Sequence, residues 1–284
     1  MASKWWQVLA VAVLAAGYTG YDYYTSHQTP PASFSQKSNH VNQGKLGDGV
    51  KYGDVQDQTP SESLASSVLQ NDVLDKIKYD KRTKITYNQA GAFILNDNKT
   101  NWTTVKTAKP YVHLSRLDWQ KRPGAASALL SHDTRQYQDR QSTGNAQTIK
   151  PVGWHQTAMK NHQSLYNRGH LIGYALAGNL PGFDASEANE RNITTQTAWA
   201  NQAASAQRTG QNYYEGLVRT ALDQGEVVRY EVTPVYHKSG VVPMGNHLEA
   251  KSTDGQLEFN VFVPNVEPGV KIDYSSGVAT LVDK

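Results

Sequence analysis

The sequence predicts a mixed α+β fold, carried by a single domain from about residue 75 to the C-terminus. Two features of the 284-residue chain point there. Segments of alternating apolar residues lie at both ends of this region, and amphipathic helical segments lie between them. Hydrophobic residues make up 38% and charged residues 19%, enough apolar side chain for a substantial core.

At the N-terminus, Lys4 precedes "WWQVLAVAVLAAGYTGYDYY", uncharged until Asp22. With Lys4 held inside and Trp and Tyr residues at both ends, residues 1–25 are expected to form an uncleaved membrane anchor. A cleaved signal segment is the alternative, and either places the body outside the cytoplasm. Residues 26–74 are expected to act as a flexible linker, polar and rich in Ser, Gln, Asn and Gly over most of their length. Within it, "SESLASSVLQNDVLDKI" starts a possible helix with apolar residues at Leu64, Val68 and Val73.

"TKITYNQAGAFILN" predicts a hairpin turning at Gln89 to Gly91. "YVHLSRLDW" (Tyr111 to Trp119) alternates as a strand, with Tyr111, His113, Ser115 and Leu117 on one face. Two helices follow near 195–206 and 212–223, parted by Gly210. In the second, Tyr213, Leu217 and Ala221 line one side, with Tyr214, Val218 and Leu222 beside them. "VVRYEVTPVY" and "LEFNVFVPNV" predict the last strands.

There are 0 cysteines, which excludes thiol catalysis, disulfides and Cys-based metal sites. The net charge of +3 is too small for the overall field to draw nucleic acid, so any such binding needs a local basic patch. Gly-x-Ser-x-Gly, HExxH and phosphate-loop signatures are all missing.

The chemistry concentrates in "LYNRGHLIGYALAG". Arg168 and His170 share a face if this stretch is extended. A guanidinium beside an imidazole disfavours its protonation, keeping His170 able to accept a proton, and can grip a phosphate oxygen. The bland alternative is a solvent-facing Arg and a structural His. In "NERNITTQTAWANQ", Asn201 is a poor residue for a helix interior, and its carboxamide oxygen suits a hard ion such as Mg²⁺. A solvated Asn on an outer face is the alternative. Glu215 lies four residues before Arg219, either an exposed ion pair or a carboxylate ordering metal-bound water.

Taken in order, NRGH, "NITTQTAWANQ" and "GQNYYEGLVR" resemble the DNA/RNA non-specific endonucleases, the DRGH family of ββα-metal nucleases. "PVGWHQ", "LIGYALAG", "GFDAS" and "LEFNVFVPNV" are similar to its branch of membrane-bound DNA-entry nucleases of Gram-positive bacteria. The resemblance covers roughly residues 110–270. It implies a ββα-metal core with a central, mainly antiparallel sheet flanked by helices.

By position, the resemblance makes His170 the general base and Asn201 the protein ligand of one Mg²⁺, or alternatively Mn²⁺. It implies that Asn192 orients phosphate or helps the metal site, Glu215 holds metal-bound water, Gln196 supports the site and Arg168 belongs to the motif. It further implies cleavage of DNA and RNA to 5′-phosphate ends. Asn167 stands where the commonest motif has Asp. If that Asp only fixes local backbone, Asn substitutes with modest loss; if its charge matters, metal dependence changes. Further phosphate contacts are expected from Arg135 and Arg140, with Tyr137 between them, and from Lys121 and Arg122; a solvated charged loop is the alternative. His155 and His162 are assigned no role. The competing function is a catalytically weak surface protein that binds DNA for an uptake machinery.

Overall fold

The computed structural model describes residues 49–282, apart from 79, 81, 103–107, 158 and 160–163. The expected membrane anchor, the linker up to residue 48 and His162 lie outside these. Among the described residues, no helix is long and apolar enough to cross a membrane.

A seven-stranded antiparallel sheet organises the body. In chain order its strands are β1 (Ile85–Tyr87), β2 (Phe93–Leu95), β3 (Tyr111–Leu114), β4 (Ala126–Leu130), β9 (Val228–Val235), β10 (Gly245–Ser252) and β11 (Glu258–Pro264). Their spatial order is β1-β2-β11-β10-β9-β4-β3, which leaves β3 at an edge. The expected hairpin forms with Ile85 opposite Leu95 and Tyr87 opposite Phe93. Gln89 and Gly91 both take positive φ in its turn, at 60° and 106°.

Strand alternation sends apolar side chains to both faces. One face carries Tyr230, Val232, Leu248, Val261 and Val263, packed against α3 (Tyr174–Ala177), α4 (Ala198–Gln202) and α5 (Gln211–Asp223). The other carries Phe93, Leu95 and Phe262, packed against α1 (Glu62–Ser66) and α2 (Asn71–Ile77). Burying each such side chain contributes about 1.5–3 kcal/mol. Two further pairs complete the domain's main elements: β5 (Tyr166–His170) with β6 (Ile193–Thr197), and β12 (Val270–Ile272) with β13 (Ala279–Leu281). The two-residue strands β7 (Ala204–Ser205) and β8 (Arg208–Thr209) pair between α4 and α5.

Several sequence expectations are corrected. The folded body begins well before residue 75: Leu64, Ala65, Val68 and Leu69 are fully or almost fully buried, and the backbone oxygen of Tyr52 accepts from Gly269. The helix expected from Ser61 onward breaks in two. The Ser67 hydroxyl donates to the Leu64 carbonyl, a local side-chain bond that competes with helix continuation. The strand expected over Tyr111 to Trp119 stops at Leu114, because Asp118 closes a turn by accepting from the backbone of Gln120 and Arg122. The helix expected over 195–206 is strand to Thr197 and helix only over Ala198–Gln202. The second helix forms as Gln211–Asp223, but its buried face is Gln211, Tyr214, Glu215, Val218, Arg219, Ala221 and Leu222.

Candidate active site

The "NRGH" residues lie on β5, paired antiparallel with β6: Asn167 faces Gln196, Arg168 faces Thr195, Gly169 faces Thr194 and His170 faces Ile193. Gly169 is required by packing, since a Cβ there would lie 2.1 Å from Gln196 Oε1. The Gln196 carboxamide fills that space, and its Nε2 donates to Gln211 Oε1 at 3.3 Å.

Gln211 opens α5 and knits the site together. Its Nε2 donates to the backbone oxygen of His170 and to Glu215 Oε1, the latter at 3.0 Å. Its Oε1 also accepts from Asn246 Nδ2 at 2.8 Å, fastening α5 and β5 to the start of β10. Sequence reasoning missed Gln211. Its spacing of four from Glu215, which puts both on one helix face, was the available signal.

His170 is half-buried, with its Nε2 2.9 Å from Arg140 Nη2. A guanidinium can only donate, so Nε2 accepts and carries the lone pair of a neutral imidazole. Burial first, and then the Arg140 charge, hold the His170 pKa well below the usual histidine value. Arg140 is itself fixed: Nη1 donates to the Ala185 carbonyl at 2.7 Å, and the guanidinium stacks 4.4 Å above the Tyr174 ring centre. The cation beside the imidazole is therefore Arg140, not Arg168. Arg168 points along the same strand face to Ile149, to whose carbonyl its Nε donates, and lies over the Trp154 ring at 4.9 Å. Its Nη1 is 4.0 Å from Glu187.

Glu215 is buried, and so is Arg219, whose Nη1 lies 3.9 Å away. The exposed ion pair weighed from sequence is thus an interior one. Burial raises the Glu215 pKa, opposed by Arg219, by the Gln211 hydrogen bond and by Arg140. Its carboxylate reaches the turn after His170, where a Cβ on Gly173 would lie 2.6 Å from Oε2. Asn192 is fully buried and exchanges two hydrogen bonds with the backbone of Ile172, each 3.0 Å. Its carboxamide fixes the turn that follows His170. Asn167 is half-buried, and its Nδ2 has no hydrogen-bond partner among the described residues.

Asn201 lies on α4, which packs against β5, β6 and α5. Thr197 caps this helix by accepting from Ala200 N at 3.1 Å. Glu267 accepts from Trp199 N at 2.8 Å, and Asn265 Oδ1 accepts from Thr197 N at 2.7 Å. The Asn201 side chain is half-buried and makes no hydrogen bond within the described residues.

Two of the expected phosphate contacts are corrected. The Arg135 side chain is 0% exposed, paired with Asp223 at 3.0 Å and donating to the Ala175 carbonyl. Arg122 pairs with Asp118 at 2.7 Å, donates to the carbonyls of Lys238 and Gly240, and stacks on Tyr236. Both guanidiniums hold the fold together. Lys121 is exposed.

Residues 73–278 match the model of the DNA/RNA non-specific endonuclease family. The chain belongs to that family. The nuclease is also similar to solved structures of NucA from Streptococcus agalactiae. The magnesium-bound form is 43% identical with a TM-score of 0.68, spanning 74% of this chain and 95% of that one. The metal-free form is 44% identical with a TM-score of 0.67, spanning 74% and 94%. The nuclease thus has the ββα-metal architecture and is a metal-dependent endonuclease acting on DNA and RNA.

Proposed function

We propose that this endonuclease hydrolyses phosphodiester bonds of DNA and RNA without sequence preference, with His170 as general base and one Mg²⁺ held through Asn201, leaving 5′-phosphate ends. The Arg140–His170 contact carries this reading, because it fixes a neutral imidazole with its lone pair set beside a cation.

His170 takes a proton from the attacking water while a new P–O bond forms and the bond to the 3′ oxygen breaks. Arg140 keeps His170 unprotonated before that step; as its guanidinium turns to a phosphate oxygen it releases the Nε2 lone pair, which takes the water's proton, and the departing 3′ oxygen takes a proton from solvent water. Gln211 and Asn192 hold the His170 backbone and the turn beyond it. Glu215, buried behind that turn, supplies a carboxylate to order water at the site.

The donor set fits a weakly held hard ion. Asn201 offers an unengaged carboxamide oxygen, and among the described residues no group of three or more His, Cys, Asp or Glu is arranged to hold a metal. When bound, Mg²⁺ would neutralise charge on the phosphate and on the leaving oxygen. Magnesium in the similar Streptococcus agalactiae structure supports that choice of ion. These groups address phosphate and not base edges, which accounts for the lack of sequence preference.

The reading extends to an outward-facing enzyme anchored by residues 1–25, with the catalytic domain held off the membrane and placed to process incoming DNA. A plasmid and RNA cleavage assay with Mg²⁺, titrated with EDTA, tests the chemistry, and labelling of the product ends tests its polarity. His170→Ala and Asn201→Ala are expected to abolish cleavage while leaving the fold intact; near-normal cleavage by either removes the assignment.

A further inference from the structure

We propose that Trp119 is a stacking platform for an unpaired base, so that this nuclease holds single-stranded nucleic acid more tightly than duplex. The inference rests on the endonuclease reading above and adds a strand preference to it.

Trp119 is 85% exposed, far more than the next large apolar side chain among the described residues, Tyr137 at 51%. An indole left almost wholly in water forgoes burial that would otherwise stabilise the fold. A loose loop tip would explain this, but the turn is locked. Asp118 Oδ1 accepts from the backbone of both Gln120 and Arg122 at 2.9 Å, and Oδ2 accepts from Arg122 Nε at 2.7 Å. Gln120 Nε2 donates to Ser239 O at 2.8 Å, and Arg122 Nη1 to Gly240 O at 2.7 Å. Lys121 completes the turn in the left-handed region, at φ 60°. A rigid scaffold therefore presents the ring to solvent, which lowers the ordering cost of any partner that stacks on it.

The surroundings select the partner. Arg116 and Lys121, three residues before and two after Trp119 in the chain, are exposed, while the turn's one carboxylate, Asp118, is occupied by Arg122. The turn joins β3 to β4 at the sheet end where β9 leaves and β10 begins, since Ala126 faces Val232 and Gly245 faces Val235. Asn246, next along β10, holds Gln211, which in turn holds His170. Arg191, beside Asn192, donates to Ser115 O at 3.0 Å, tying the root of this turn to the active-site hairpin. An exposed aromatic face with exposed cations close by in the chain suits the bases and phosphates of a single strand. In a duplex the base faces are already stacked and out of reach of the indole.

Measurement of kcat and KM on one oligonucleotide, single-stranded and annealed, tests this. Trp119→Ala is expected to raise the single-strand KM by roughly 5- to 100-fold at unchanged kcat, with the duplex KM moving less than about twofold. Trp119→Phe is expected to restore most of the loss. Adding the single strand to a His170→Ala protein should quench tryptophan emission, and Trp119→Phe in that background should remove the larger part of the quench. An unchanged single-strand KM in Trp119→Ala overturns the proposal and leaves the ring to a protein partner; an equal loss on both substrates overturns the strand preference. Absence of cleavage by the unmodified protein would instead overturn the endonuclease reading.

Discussion

Arg140 Nη2 lies 2.9 Å from His170 Nε2, although 30 residues separate them in the chain. The contact fixes which imidazole nitrogen carries the lone pair, and with His170 as the proposed base it adds to burial in setting the acid limit. Protonating His170 would place two cations in hydrogen-bond contact, so the neutral form persists well below the usual histidine range. The acid limb of kcat/KM is therefore expected well below the usual histidine value, and Arg140→Gln is expected to move it upward, with burial still holding it below that value, besides lowering the rate. A pH–rate profile with the same acid limb in both proteins would refute the pairing.

The same shift links to stability. Below about pH 6.5 the unfolded chain protonates His170 while the folded one does not, so this residue costs stability as pH falls through that value. His170→Phe is expected to flatten part of the fall in Tm between pH 7 and 5, measured by calorimetry.

Gly169→Ala is expected to abolish cleavage and cost several kcal/mol, since the new methyl would sit 2.1 Å from Gln196 Oε1 inside a paired strand. Adding Gln196→Ala should recover part of the stability. Additive losses in the double variant, read from urea unfolding, would show that the two do not meet.

Arg135→Met is expected to lower stability by about 1–3 kcal/mol, because it strips Asp223 and the Ala175 carbonyl of their partner. Affinity for DNA in the folded variant should hold, in contrast to an exposed phosphate contact, whose removal reduces the salt dependence of binding. A loss of salt dependence would return Arg135 to the interface.

Glu267 accepts from Trp199 N at the start of the Asn201 helix, and burial pushes its pKa to about 7. Its folded pKa is raised, so stability is lost as pH rises between about 4.5 and 7. Glu267→Gln keeps an acceptor without the charge, and its Tm is expected to exceed that of the parent at pH 8 but not at pH 5. Equal differences at both pH values would show that Glu267 does not titrate there.

Some of the molecule was legible locally. The Gln89–Gly91 hairpin, β9, β11 and the helix opening after Gly210 follow from period and turn residues. The central strand β10, "GNHLEAKS", was not foreseen, nor was β4, "ASALL". Their Ala, Leu, Glu and Lys content carries little strand propensity; pairing on both sides, β10 between β9 and β11, decides their conformation. The segment 195–206, expected as one helix, is strand in its first part, because the pairing of Thr197 with Tyr166 holds that part extended. Arg168 drew the role of the imidazole's cation by nearness in sequence, while Ile149 and Trp154 hold its side chain elsewhere.

The sequence by itself determined the α+β class, the motif order that places the chain among these nucleases, and a list of chemically apt residues, because residue type and spacing are local properties. Which cation meets His170, which Arg residues are interior, and that Gln211 joins helix to strand were decided only by the tertiary structure. Those facts depend on strand pairing and burial between segments 30 or more residues apart, where side-chain direction, and with it charge and hydrogen bonding, is set by neighbours that no local pattern encodes.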